Sequence, residues 1–194
     1  MSENFNKRKI INRVSASAII LFWLAFTAVF FFTFTEKQAY PILYKEEIIA
    51  VSEKYGIDPA LVFAIVRTES GFAPHTVSAK GATGLMQIMP STGKYIADKK
   101  GVAEYDLFEV STNLDFGCYY WKYLSERFYG LTETAAAYNA GEGTVSGWLK
   151  NIEYSADGKR LEYIPYRETR EYVKKIYESL ERYRKLYAKL LDKP

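Results

Sequence analysis

A long stretch near the amino terminus carries no charged side chain, and this limits what that part of the chain can form. From Val14 to Thr35 every residue is apolar or neutral, and the apolar ones cover the whole circumference of a helix. The stretch is long enough to cross the hydrocarbon core of a bilayer as an α-helix. We therefore predict a single transmembrane anchor over residues 14–35, followed by a linker over residues 36–44.

The net charge of +3 is concentrated in residues 1–13. The charged residues there are Lys7, Arg8, Lys9 and Arg13 against Glu3, so the remainder of the chain sums to zero. Basic residues before an apolar span keep that end in the cytoplasm. The sequence thus predicts a cytoplasmic tail over residues 1–13 and an exported domain at the plasma membrane, and the charge gives no indication of nucleic-acid binding.

A cleaved signal peptide is the alternative interpretation, because it also has a basic start and an apolar middle. The apolar run is long for a signal peptide, however, and Phe34-Thr35-Glu36-Lys37 stands where a small-x-small cleavage site would be expected. The sequence favours an uncleaved, single-pass anchor.

The chain has one cysteine, Cys118, and one histidine, His75. An intramolecular disulfide and a zinc site built from His and Cys are therefore excluded. His75 lies in a polar stretch with no nucleophile signature, so we interpret it as a surface residue and Cys118 as core. No metal or cofactor is implied, and acid-base chemistry would depend on Asp, Glu or Tyr.

Residues 45–194 alternate helical periodicity with turns marked by glycine, which predicts an all-α domain. Asp58 is an N-cap followed by proline at the first helical position. The predicted helices are Lys45–Tyr55, Pro59–Ser70, Pro90–Lys100, Ser111–Tyr129, Thr132–Tyr138, Thr144–Lys150 and Glu168–Leu191. A short hairpin is predicted over residues 151–164.

The last helix carries an apolar stripe at intervals of three and four residues, formed by Val173, Ile176, Leu180, Tyr183, Tyr187 and Leu190. Such a stripe either closes the core of its own domain or docks a partner, for example from an envelope complex. The sequence favours packing on its own domain.

Glu69 lies at the carboxyl end of an apolar helix, just before Gly71. The negative end of the helix dipole and partial burial would both raise the pKa of this carboxyl group. A raised pKa is what a general acid needs near neutral pH. On position alone, a solvated glutamate at a helix end is the more common case.

Two other segments combine glycine with ligand-binding side chains. Gly81-Ala82-Thr83-Gly84-Leu85-Met86-Gln87-Ile88-Met89-Pro90 allows close backbone approach and supplies an apolar wall and an amide. Ala137-Tyr138-Asn139-Ala140-Gly141 supplies a phenol and an amide at a helix end. Each segment alone could serve packing.

Together and in this order, these segments resemble the soluble-type lytic transglycosylases, which share a goose-type lysozyme-like helical domain. The resemblance extends from about Tyr44 to Tyr183, and its most specific part is Gly84 to Pro90. The stretch from Tyr166 to Val173 is similar to the closing motif of the family. The implied fold is a lysozyme-like helical domain over residues 45–194, preceded by a single transmembrane helix.

The resemblance implies that Glu69 protonates the glycosidic oxygen between N-acetylmuramic acid and N-acetylglucosamine in peptidoglycan. The same carboxylate then draws the proton from the C6 hydroxyl of the muramic acid, which closes a 1,6-anhydro ring without water. Implied substrate-binding residues are Ser78, Gln87, Met89, Tyr138, Asn139 and Glu168, with Glu168 orienting Tyr138 or substrate. Residues 151–163 do not match the family pattern closely.

Two alternatives remain open from the sequence. A muramidase would hydrolyse the same bond with an activated water and leave a reducing end. A wall-binding scaffold would use the groove only to hold glycan, although the presence of Glu69 with the full motif set argues against it.

Overall fold

The computed structural model describes the backbone of residues 2–191 and the side chains of residues 21–191. Within this range the chain forms helices and no strand, which confirms the all-α prediction there. The helices are α1 Ser2–Ala39, α2 Lys45–Tyr55, α3 Pro59–Ser70, α4 Pro90–Lys100, α5 Val110–Ser125, α6 Leu131–Ala140, α7 Glu142–Leu149 and α8 Arg167–Leu191. The chain divides into two compact units, the first ending at Pro41 and the second beginning at Ile42.

Helix α1 forms the first unit. Its large apolar side chains between Leu21 and Phe34 are exposed, up to 68% for Phe31. Among the described residues, no helix combines the length and the apolar character that crossing a membrane requires. The predicted anchor begins at Val14, and the side chains of residues 14–20 lie outside the described part of the chain.

Helices α2, α3 and α4 begin and end where the sequence predicts. The Asp58 carboxylate accepts a hydrogen bond of 2.8 Å from the Ala60 amide, which confirms the predicted N-cap of α3. Gly71 ends α3 with a φ of 58°, a left-handed conformation that glycine adopts without strain. The last turn of α3 therefore holds Glu69 directly before a change in chain direction.

The boundaries of α5 and α6 differ from the prediction. Helix α5 begins at Val110 because the Glu109 carboxylate caps it, accepting from the Ser111 and Thr112 amides. It ends at Ser125 instead of Tyr129. Helix α6 is longer than predicted, so Asn139 lies inside the helix and not after it.

The core of the second unit is built largely from α3, α5 and α8. Phe63, Leu85, Met86, Leu114 and Tyr183 are fully buried. Cys118 is also buried and His75 is exposed, as predicted.

Helix α8 packs along α3 and contacts α6. The central residues of its apolar stripe, Val173, Ile176, Leu180 and Tyr183, are buried. This part of the stripe therefore closes the core of its own domain, as the sequence favours. The helix is interrupted at Tyr187, where φ is −129° and ψ is 20°.

The hairpin predicted over residues 151–164 is wrong, since this segment forms turns only. The Glu162 and Tyr163 amides both donate to the Tyr154 carbonyl, at 2.9 and 3.3 Å, but the amides of residues 159–161 bond to side chains. Asp157 accepts from two of them, and the buried Glu133 carboxylate accepts from the Leu161 amide at 2.8 Å. Because these donors are already used, no ladder of backbone bonds forms.

Candidate active site

Glu69 lies in the last turn of α3, and that turn is joined to the loop before α4. The Ser70 hydroxyl donates to the Leu85 carbonyl at 2.8 Å and also bonds within its own helix. Leu85 and Met86 are completely buried beside it. The helix end and the loop therefore form one packed wall around the Glu69 carboxyl group.

Burial raises the pKa of Glu69 from 4.5 to about 7. A hydrogen bond of 2.7 Å from the Tyr172 hydroxyl to Glu69 Oε1 opposes this rise, because it favours the charged form. Desolvation is the larger effect, so near neutral pH the carboxyl group can both release and accept a proton. The sequence predicted the direction of this pKa change.

A buried amide holds the loop of residues 76–89 in place. The Asn113 side chain accepts from the Met86 amide at 2.7 Å and donates to the Thr83 carbonyl at 2.9 Å. Gly84 has a φ of 79°, and a Cβ there would collide with the Asn113 side chain and the Leu107 carbonyl. Glycine is thus required at this position both for backbone conformation and for space.

Gln87 and Ser78 belong to this loop and line the cleft. Their side chains also stabilise the loop. Gln87 Nε2 donates to the Thr76 and Gly84 carbonyls at 3.1 and 2.9 Å, which leaves its Oε1 as the acceptor for a ligand. The Ser78 hydroxyl accepts from the Ala82 amide at 3.0 Å and retains a proton to donate.

Tyr138 and Asn139 come from the end of α6. The Tyr138 hydroxyl donates to the Met86 carbonyl at 2.8 Å, and Asn139 Oδ1 accepts from the Thr169 hydroxyl at 2.8 Å. Burial, together with the nearby Glu69 charge, raises the pKa of Tyr138 well above its usual value. Tyr138 is therefore a neutral phenol close to Glu69.

Glu168 is exposed at the first turn of α8. The resemblance implied that it orients Tyr138 or substrate, but the Tyr138 hydroxyl is bonded to Met86. The residue that contacts Glu69 from α8 is Tyr172, which the sequence reasoning missed. Tyr172 follows Glu168 by four residues and so lies on the same helical face, a spacing that could have identified it.

The structure brings all the predicted site residues to one cleft of about 310 Å³. These residues are Glu69, Ser78, Gln87, Met89, Tyr138, Asn139 and Glu168. Ala79, Lys80 and Ala82 complete the lining and were not predicted. A larger cavity of about 890 Å³ lies between α2 and the end of α8, but none of the predicted residues lines it.

Comparison with known proteins identifies the family. A family model described as "Transglycosylase SLT domain" matches residues 46–160, more than half of the chain. The chain belongs to the transglycosylase SLT domain family. This SLT domain contains α2 to α7 and most of the residues that line the cleft, and it confirms the resemblance read from the sequence.

Relatives with this SLT domain are longer proteins. The chain is 34% identical over 146 residues to the soluble lytic murein transglycosylase of Salmonella typhimurium, covering 72% of this chain and 23% of that protein. It is 32% identical over 168 residues to membrane-bound lytic murein transglycosylase C of Edwardsiella ictaluri, covering 74% of this chain and 47% of the relative. The chain thus spans about a quarter to a half of the length of these relatives.

Solved structures of SLT-domain proteins are similar to this chain. The 70 kDa soluble lytic transglycosylase of Escherichia coli superposes with a TM-score of 0.69 at 30% identity, over 77% of this chain and 25% of that one. Lytic transglycosylase Slt of Pseudomonas aeruginosa, solved as an inactive glutamate-to-glutamine mutant, gives a TM-score of 0.66 at 31% identity, with the same coverage. The second unit therefore has the helical fold of this family.

Proposed function

We propose that this chain is a membrane-anchored lytic transglycosylase that cleaves the β-1,4 bond between N-acetylmuramic acid and N-acetylglucosamine in peptidoglycan and leaves a 1,6-anhydro end. The observation that carries the proposal is the Glu69 carboxyl group, with a pKa of about 7 in a cleft lined by the family's motif residues. The names of the relatives, lytic murein transglycosylases, support the same reaction.

Glu69 acts twice in the proposed mechanism. Its proton passes to the glycosidic oxygen as the bond between that oxygen and C1 of the muramic acid breaks, and the N-acetylglucosamine end departs with a hydroxyl group. The 2-acetamido group of the muramic acid stabilises the positive charge at C1. The Glu69 carboxylate then removes the proton of the C6 hydroxyl, whose oxygen bonds to C1, so Glu69 is again protonated and no water is consumed.

The surrounding residues have supporting roles in this mechanism. Tyr172 donates to Glu69 Oε1 and fixes the orientation of the carboxyl group, so that the other oxygen can carry the mobile proton. The Tyr138 hydroxyl donates to the Met86 carbonyl, and the residue lies close enough to Glu69 that the Glu69 charge contributes to raising the pKa of Tyr138. Ser78, Gln87 and Asn139 offer hydrogen bonds to sugar substituents, and Met89 offers an apolar wall. An inactive glutamate-to-glutamine mutant of the Pseudomonas relative supports an essential glutamate.

The products of digestion test the reaction. Purified peptidoglycan is incubated with the full-length chain in detergent and water enriched in ¹⁸O, and the fragments are identified by mass spectrometry. The proposal predicts 1,6-anhydro ends without ¹⁸O. Reducing ends that carry ¹⁸O would replace the proposal with a hydrolytic muramidase, and glycan binding without cleavage would replace it with a wall-binding scaffold. The Glu168→Gln variant is the matched control for Glu69→Gln, because Glu168 is the other carboxylate lining the cleft.

The anchor is a separate part of the proposal. The uncharged stretch from Val14 to Thr35, the basic residues before it and the exposed apolar side chains of α1 support a single-pass span with a cytoplasmic amino terminus. The full-length chain is then expected in the membrane pellet after alkaline carbonate extraction. Protease added outside spheroplasts should digest residues beyond the anchor. Recovery of the chain in the carbonate supernatant would contradict the anchor without affecting the proposed reaction.

A further inference from the structure

Thr169 lies in the first turn of α8 and has no role in the proposed mechanism. The residue is only 1% exposed, and its hydroxyl is directed toward α6. Glu168, the residue before it, is exposed and lines the cleft. The match to the SLT domain ends at residue 160 and therefore assigns no role to this turn. A buried hydroxyl directly behind the cleft wall thus needs an explanation.

The Thr169 hydroxyl forms its hydrogen bond with a different helix. A threonine hydroxyl inside a helix often donates to a carbonyl one turn earlier in the same helix. Thr134 does so in α6, donating to the Gly130 carbonyl at 2.8 Å. Thr169 instead donates to Asn139 Oδ1 at 2.8 Å. This bond connects the start of α8 to the end of α6, where the cleft lies.

Arg170 holds the first turn of α8 in place. Its Nη1 donates to the Ile164 and Pro165 carbonyls at 2.6 and 2.9 Å. The guanidinium group also lies 5.3 Å from the centre of the Tyr163 ring. Because the segment that leads into α8 is fixed in this way, the Thr169 hydroxyl approaches α6 from a defined position.

The bond from Thr169 determines which end of the Asn139 amide faces the cleft. An asparagine amide has an acceptor oxygen at one end and a donor NH₂ group at the other. Thr169 occupies Oδ1, and no residue in the described range 21–191 accepts a hydrogen bond from Nδ2. Asn139 is half-buried and lines the cleft, so its NH₂ group is the end left for a ligand.

A donor at this place suits a glycan, whose ether and acetyl carbonyl oxygens only accept hydrogen bonds. The reversed amide would place Oδ1 opposite such an oxygen, with no proton between the two acceptors. We propose that Thr169 is a positioning residue, which fixes the Asn139 amide as a hydrogen-bond donor to an acceptor oxygen of the bound glycan. This inference rests on the proposed function, because it takes the ligand to be a glycan strand.

The test measures glycan affinity when the Thr169 hydroxyl is removed. A soluble peptidoglycan octasaccharide is titrated calorimetrically into the full-length Glu69→Gln variant in detergent, which avoids cleavage during the titration. Adding Thr169→Val should weaken binding roughly tenfold, and adding Thr169→Ser, which keeps the hydroxyl, should leave the affinity within about twofold of the parent. Thr134→Val is the matched control, since it removes a buried hydroxyl that bonds within α6 and does not line the cleft. It should not change the affinity.

Variants of Asn139 show whether Thr169 acts through this amide. Asn139→Asp keeps an acceptor for Thr169 but presents a second oxygen to the cleft in place of the NH₂ group, so it should weaken binding at least tenfold. In an Asn139→Ala background, adding Thr169→Val should cause no further loss of affinity, because the two residues act as one unit. Asn139→Asp and Thr169→Ser decide the question if Thr169→Val lowers the thermal stability.

The outcomes distinguish this inference from the proposed function. The positioning role is overturned by an unchanged affinity in folded Thr169→Val, by a loss that Thr169→Ser shares, or by a loss that persists in the Asn139→Ala background. Any of these results stands even if the wild-type protein makes anhydro products. The expected pattern supports the positioning role even if the wild-type protein makes none, in which case only the proposed reaction fails. Absence of glycan binding by Glu69→Gln would also overturn the inference, and the digestion products would then test the proposed reaction separately.

Discussion

Glu69 and Glu109 have the same side chain but lie in opposite environments. Glu69 is in the last turn of α3, where burial raises its pKa to about 7. Glu109 precedes α5, where hydrogen bonds from Thr112 and Ser111 lower its pKa to about 2. A helix amino terminus offers free N–H groups to a carboxylate, whereas a buried carboxyl terminus offers none. The comparison shows why Glu69 alone of the two can donate a proton near neutral pH.

Among substitutions that would change the environment of Glu69, the largest effect is expected at Gly84. An alanine there has a strained φ and collides with Asn113 and Leu107, so Gly84→Ala should lower the free energy of unfolding by about 3 kcal/mol. The wall around Glu69 should open, and the pKa of Glu69 should fall toward 4.5. Gly81→Ala is the control, since Gly81 also has a positive φ but no atom lies close to an added Cβ there, and it should lower the free energy of unfolding by about 1 kcal/mol. Equal losses in denaturant titrations would contradict the packing argument.

The stability of Glu69→Gln should depend on pH. Between pH 4.5 and about 7 the folded wild-type protein binds more protons than the unfolded chain, so its stability falls as the pH rises through this range. Glutamine is neutral at every pH and loses no stability in this way, so the variant should be more stable than wild type by about 3 kcal/mol at pH 8 and equal to it at pH 4. Glu168→Gln, at an exposed position, is the control in the same denaturant titrations. A gain that is the same at both pH values would show that Glu69 is not desolvated.

Tyr172→Phe should change the pKa of Glu69 in the opposite direction from Gly84→Ala. The Tyr172 hydroxyl stabilises the charged form of Glu69, so its removal should raise the pKa of Glu69 and move the alkaline limb of the pH–rate profile to higher pH. The maximal rate should fall roughly tenfold because the orienting bond is lost. Tyr177→Phe removes a hydroxyl bonded to Thr132 and should change neither quantity. An alkaline limb at the same pH as in wild type would show that Tyr172 does not control the pKa of Glu69.

The smallest effect is expected for Glu109→Ala. The folded-state pKa of Glu109 is depressed, so its stabilising effect is present at neutral pH and is lost as the pH falls toward 2. Because Glu109 is exposed, we expect a loss of only about 1 kcal/mol at pH 7, close to that of other N-caps. Glu104→Ala, at an exposed site before α5, is the matched control for thermal unfolding at both pH values. A loss that persists at pH 2 would point to packing in place of capping.

Much of the site could be predicted because its chemistry depends on local patterns. The N-cap Asp58 and the glycine after Ser70 set the bounds of α3, and these place Glu69 in its last turn. The helical period set the register of α8 and the burial of its stripe. Features that depend on residues far away in the sequence could not be predicted from such local patterns. The partner of Glu69 is 103 positions away at Tyr172, and the amide that holds the loop is Asn113 in α5.

The incorrect hairpin has the same cause. The backbone donors of residues 159–161 bond to Asp157 and to Glu133 of α6, and Glu133 lies outside the segment. Similarly, glutamate is an uncommon N-cap, so the start of α5 at Val110 was not apparent from the residue type. Side-chain bonds of this kind decide loop structure without leaving a periodic signal in the sequence.

The pH dependence of kcat/KM for release of anhydro fragments tests the central claim, that Glu69 is the proton donor, most directly. With the full-length chain in detergent, the rate should fall tenfold for each pH unit above about 7, following the protonated fraction of Glu69, and Glu69→Gln should release no fragments at any pH. A rate that stays constant from pH 6 to pH 9, or anhydro fragments from Glu69→Gln, would contradict the account.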